Sequence, residues 1–105
     1  MYKLCVYIPE SHLEPVKLAL FAAGAGRIGT YDSCCWQVKG LGQFRPLDGS
    51  QPFLGQTGVV ERVSEYRVET VCADEVVDQV LAAMRAAHPY EEPAFDLWCL
   101  DDRCN

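Results

Sequence analysis

His88-Pro89-Tyr90-Glu91-Glu92-Pro93 sets an imidazole, a phenol and two adjacent carboxylates in one six-residue stretch. Pro89 and Pro93 bias His88 and Glu92 away from the α region, so the stretch reads as a stiffened turn with fixed side-chain directions. Imidazole and carboxylate together suit zinc, manganese or copper, which makes His88, Glu91 and Glu92 the candidate ligands of a divalent cation. Against this, successive side chains of an extended segment diverge, so Glu91 and Glu92 do not readily converge on one ion. The structural alternative has Glu91 or Glu92 accepting hydrogen bonds from turn backbone, with His88 at the C-terminal end of a helix.

A second group is Gly42-Gln43-Phe44-Arg45-Pro46. Here Arg45 can meet a carboxylate or phosphate bidentately, and Phe44 can stack or wedge. The competing assignment puts Phe44 in the core and pairs Arg45 with an acidic residue such as Glu92. Gly42, Phe44, Arg45, Pro46, His88, Tyr90, Glu91 and Glu92 are therefore the candidate ligand-binding residues. Other patterns carry less. Gly24-Ala25-Gly26-Arg27-Ile28-Gly29 spells G-x-G-x-x-G, but it closes a helix and precedes a strand, the reverse of the dinucleotide-binding arrangement. Cys34 and Cys35 lack the orienting partners of a nucleophile. No catalytic constellation can be assembled, and the catalytic set is empty.

The elements that must position these groups follow from hydrophobic period. Tyr2 to Ile8 alternates as strand one and stops at Pro9. Ser11-His12-Leu13-Glu14 fits a capping box, predicting a helix from Ser11 to about Ala23 with Gly24 past its end. Tyr31 to Lys39 predicts strand two. Gly40 to Gly58, with repeated glycine and proline, predicts a long loop of the kind usually tied to function. Val59 to Ala73 predicts strand three, Asp74 the cap of a helix running to about Ala87, Ala94 to Leu100 strand four, and Asp101 to Asn105 a frayed polar tail. The expected fold class is α+β, a ferredoxin-like β-α-β-β-α-β sandwich with two helices on one face of an antiparallel four-stranded sheet, forming a single domain over residues 1–105. Leu4, Val6 and Ile8 are expected to face the helices. The opposite sheet face is left wanting a partner, and self-association is the simplest.

Composition narrows the partners. The chain has 105 residues, half of them hydrophobic, and a formal net charge of −6, which argues against nucleic acid. No run of about 18 apolar residues suits a membrane span, and no signal-peptide core precedes strand one, so a cytoplasmic location is expected. Six cysteines then read as reduced thiols, and with no C-x-x-C a structural zinc site is not indicated.

Gly40-Leu41-Gly42-Gln43-Phe44-Arg45-Pro46, Asp48-Gly49-Ser50-Gln51-Pro52-Phe53-Leu54-Gly55 and Ala87 to Asp96 resemble, in this order, the inserted domain of YqfO-type proteins, of the NGG-one-interacting-factor-three-like family. The resemblance implies a fold like that of the PII signalling proteins and CutA, and assembly as a trimer rather than a dimer. In that family the two-metal centre lies on flanking segments, so the resemblance is to a free-standing copy of the accessory domain, without hydrolase chemistry. The expected function is a non-catalytic, self-associating binding or regulatory module, with a small ligand or protein partner, at the loop 40–58 and the His88–Glu92 turn. The alternatives are a CutA-like divalent-metal-binding protein and, by family association, a metal-dependent hydrolase.

Overall fold

Alternation in the first strand sends Leu4, Val6 and Ile8 to one face, and all three are fully buried in the computed structural model, which describes residues 1–104. This strand, β1, spans Tyr2–Pro9. It leads through a 3₁₀ turn at Glu10–His12 into α1, Leu13–Ala22. The remaining elements are β2 at Trp36–Phe44, β3 at Glu61–Cys72, α2 at Val77–Ala87, β4 at Phe95–Cys99 and a second 3₁₀ turn at Asp102–Cys104. All strand pairs are antiparallel and the sheet order is β2-β3-β1-β4, the expected ferredoxin-like order.

Both helices cover the same sheet face. Val16 and Leu20 of α1 and Val80 and Met84 of α2 meet Leu4, Val6, Ile8, Val68 and Cys72 in one cluster. Each such aliphatic side chain contributes about 1.5–3 kcal/mol on burial. Helix α1 closes with a Schellman pattern: Ala25 N donates to Leu20 O at 3.0 Å, Gly24 N to Phe21 O at 3.1 Å, and Gly24 takes φ +112°. That closure agrees with the expected role of Gly24.

The helix starts differ from expectation. No capping box forms at Ser11, whose residue falls in the 3₁₀ turn; His12 is the N-cap residue without a side-chain bond, and Ser11 Oγ lies 2.8 Å from His12 Nδ1. Asp74 likewise caps nothing. Its Oδ1 accepts from the Met1 amino group at 2.7 Å, and α2 begins three residues later. Strand two is displaced by five residues from the predicted start. Residues 31–35 are bends and a tight bridge between Ile28 and Tyr31, with Ser33 at φ 56°, while pairing with β3 runs on through Gly40 and Gly42 to Phe44. The long loop therefore begins after Phe44, and the tail adopts a 3₁₀ turn up to Cys104; Asn105 lies outside the described residues.

The molecule has principal extents of 46 × 24 × 23 Å. Strand β2 is an edge with exposed Trp36, Val38 and Leu41. No helix among the described residues is long and apolar enough to cross a membrane. The six cysteines are unpaired thiols.

Candidate functional site

The end of β2, the loop beyond it and the turn between α2 and β4 converge on a cleft of about 410 Å³. One wall is Gln43 to Leu47 with Ser50, Pro52 and Phe53; the other is Tyr90, Glu91, Glu92 and Ala94, with Tyr7 and Glu65 of the sheet between them. Residues 40 positions apart meet here because β3 lies between β2 and β1, and β1 in turn pairs with β4. The size is typical of small-molecule sites.

Three rings frame the cleft. Phe44 and Tyr90 have centroids 5.8 Å apart with planes tilted by 57°, and Phe53 and Tyr90 stand 6.4 Å apart at 48°. His12 meets the edge of Phe53 at 5.4 Å. These tilted arrangements are the favoured aromatic geometries. The loop is pinned at several points. Gly58 N donates to Pro46 O at 2.7 Å, Ser50 Oγ to Leu47 O at 2.7 Å, and Gln51 N to Glu91 Oε1 at 3.1 Å.

His88 holds the turn. It is 6% exposed, its Nε2–H donates to Tyr7 O at 2.8 Å, and its Nδ1 accepts from Tyr90 N at 3.1 Å. This pattern selects the neutral Nε2–H tautomer. Burial lowers its pKa, opposed by the Tyr7 carbonyl and the Glu65 charge. Tyr90 then donates its hydroxyl to Glu65 Oε2 at 3.1 Å. Burial, and next the Glu65 charge, push that phenol's pKa well up. Glu65 reaches Tyr90 by lying across Gly42: a Cβ at Gly42 would collide with the Glu65 carboxylate.

The predicted residues thus separate by role. Phe44, Arg45, Pro46, Tyr90, Glu91 and Glu92 line the cleft, Gly42 makes room for Glu65, and His88 lies behind the wall. His88, Glu91 and Glu92 do not converge as a metal site within this chain, because both ring nitrogens of His88 are hydrogen-bonded and Glu91 is spent on Gln51. Among the described residues no three His, Cys, Asp or Glu side chains are grouped to hold an ion. Arg45 does not pair with Glu92 and Phe44 does not plug the core; Phe44 stacks in the cleft and Arg45 is exposed at its rim. The Glu91 contact is the backbone hydrogen bond that the structural alternative anticipated. Glu65, Phe53 and Tyr7 were not among the candidates. Glu65 sits mid-strand opposite Gly40, and the strand glycine at 42 is the available signal that something crosses there.

This fold, with this order of elements, is the ferredoxin-like α+β class shared with CutA. The chain aligns with CutA from Nostoc sp. at a TM-score of 0.69 and 14% identity over all of this chain and 86% of that one. Sequence relatives are more specific. The chain is 54% identical over 98 residues to a GTP cyclohydrolase 1 type 2 homolog of Mycobacterium bovis, and 48% identical over 96 residues to one of Bacillus subtilis. These alignments cover 93% and 91% of this chain and 26% of each relative. A Bacillus cereus protein related to NIF3 superposes with a TM-score of 0.81 at 42% identity, over 96% of this chain and 26% of that structure. No family model matches the chain. The chain spans about a quarter of the curated relatives it matches, and it is homologous to one segment of these NIF3-related proteins, in agreement with the resemblance carried by its two motifs.

Proposed function

We propose that the chain is a non-catalytic binding or regulatory module that self-associates, as a trimer rather than a dimer, and takes a small ligand in the cleft between Phe44–Phe53 and Tyr90–Ala94. The observation that carries the reading is the cleft itself: an aromatic-walled space of about 410 Å³ built jointly by the two sequence motifs. Apolar walls with a few convergent polar groups are what small-molecule sites share. Self-association is supported by the unpaired β2 edge with Trp36 61% exposed, and by Trp98 exposed on the outer sheet face. A cytoplasmic location fits the six free thiols.

The CutA-like divalent-metal reading is supported by fold alone, and the hydrolase reading by the name of relatives of which the chain spans about a quarter. Native mass spectrometry of freshly purified protein, without chelator, together with a fragment screen by nuclear magnetic resonance, tests the proposal. A trimer whose cleft amides respond to fragments is the expected result. A monomer at micromolar concentration that responds to no fragment overturns it.

A further inference from the structure

The charges around the cleft are unequally committed. Glu65 accepts from the Tyr90 hydroxyl and Glu91 from the Gln51 backbone, so both carboxylates serve the wall. Arg45 and Glu92 also line the cleft, both exposed, and among the described residues neither forms an ion pair, with the other or with any third group. The rings of Phe44, Phe53 and Tyr90 line the same cleft.

Resting on the ligand-site reading above, we propose that the cleft takes a small zwitterion with a flat apolar body, namely a free aromatic amino acid. Its carboxylate meets Arg45, its ammonium meets Glu92, and its ring lies among Phe44, Phe53 and Tyr90. The guanidinium offers paired donors to a carboxylate, and charge-assisted bonds are roughly twice as strong as neutral ones. Aromatic walls reward a flat ring in tilted or offset contact. Other ligand classes fit less well. A polyphosphate would face Glu65, Glu91 and Glu92 with only Arg45 to neutralise it. A simple amine leaves Arg45 without a partner, and a simple acid leaves Glu92 so, each forgoing one charge-assisted contact.

The test is a titration of the full chain followed by backbone amide shifts, with four probes: L-phenylalanine, L-phenylalaninamide, N-acetyl-L-phenylalanine and benzyl alcohol. L-phenylalanine is expected to shift amides in residues 44–53 and 90–94 and to bind at least tenfold more tightly than either half-charged analogue. R45Q should weaken L-phenylalanine and its N-acetyl form about tenfold while leaving the amide form unchanged. E92Q should do the reverse to the two analogues. Both positions are at the rim, and the spectrum itself reports whether each variant keeps its fold. Equal binding of all four probes at the cleft, or insensitivity to both substitutions, overturns the zwitterion assignment and leaves the ligand site standing. No cleft response to any probe overturns both.

Discussion

Replacing His88 by alanine should cost about 2–5 kcal/mol of stability, and the loss should shrink as pH falls. The imidazole makes two hydrogen bonds, from Nε2–H to Tyr7 O and at Nδ1 from Tyr90 N. Each net bond is worth about 1 kcal/mol, and leaving the Tyr7 carbonyl or the Tyr90 amide unpaired in a part-buried setting costs about 1–3 kcal/mol per group. The ring's removal also opens space behind the cleft wall, which adds to the loss. For a chain of this size, 1 kcal/mol corresponds to about 4–8 °C in Tm, so a drop of at least about 8 °C is expected.

The pH dependence has a definite sign. Burial lowers the folded pKa of His88 below its ordinary value of about 6.5. Above that value both folded and unfolded chains hold it neutral, and the group exerts no pH-dependent effect. Below it the unfolded chain binds a proton that the folded chain refuses, so stability falls by up to about 1.4 kcal/mol per pH unit until the folded pKa is reached. Protonation at Nδ1 would also set two donors, that ring nitrogen and Tyr90 N, against each other. Urea unfolding of wild type and H88A at fixed protein concentration between pH 5 and 8 reads both effects. The difference between the two curves should be flat above pH 7 and shrink below about 6.5. A cost under 1 kcal/mol, or parallel curves across the whole range, would refute this account of His88 as the post of the turn.

Gly26 takes φ +79°, and a Cβ there would stand 2.9 Å from both the N and the O of Cys34. G26A should therefore lose at least about 2 kcal/mol in urea unfolding, since backbone cannot yield as a side chain can. G42A should change stability by less than about 1 kcal/mol, because the obstacle is the mobile end of Glu65, yet it should move that carboxylate off Tyr90. The Tyr90 phenol would then ionise at lower pH, and an unchanged phenol titration would show that Gly42 does not serve Glu65. With Ellman's reagent the exposed Cys35, Cys99 and Cys104 should react fast in native protein. Cys72, its pKa pushed up to about 11 by burial, and buried Cys5 should wait for denaturant; rapid labelling of all six would contradict the packing.

Sequence patterning recovered the element order and the helix-facing residues because those depend on periods of 2 and 3.6, which Leu4, Val6 and Ile8 or Val80 and Met84 display directly. Boundaries failed where a side chain suited to capping took another partner, near or far. Ser11 and Asp74 have the side chains of helix caps, but Ser11 turns to His12, and Asp74 holds the amino group of a residue 73 positions away. Strand two was misplaced for a different reason. Its far half is written in glycine, which signals loop when read locally but here pairs in register with β3, Gly40 against Glu65 and Gly42 against Val63.

Of these two glycines, Gly42 explains why the site was half legible. Motif residues such as Phe44, Arg45 and Tyr90 stand out by type and by the prolines beside them, and the structure brings them together. Glu65 carries no such mark, since a glutamate in an alternating strand is ordinarily a solvated face. What gives it a role is the missing Cβ on the neighbouring strand, which lets its carboxylate swing over Gly42 to the Tyr90 hydroxyl. The β2–β3 hairpin is thereby joined to the turn that His88 holds on β1, and the two walls of the cleft are fastened together through this carboxylate and through that of Glu91, which accepts from Gln51 N. A substitution at Glu65 should for this reason disturb ligand binding at both walls, whereas one at Arg45 should touch only the ligand's carboxylate and one at Glu92 only its ammonium.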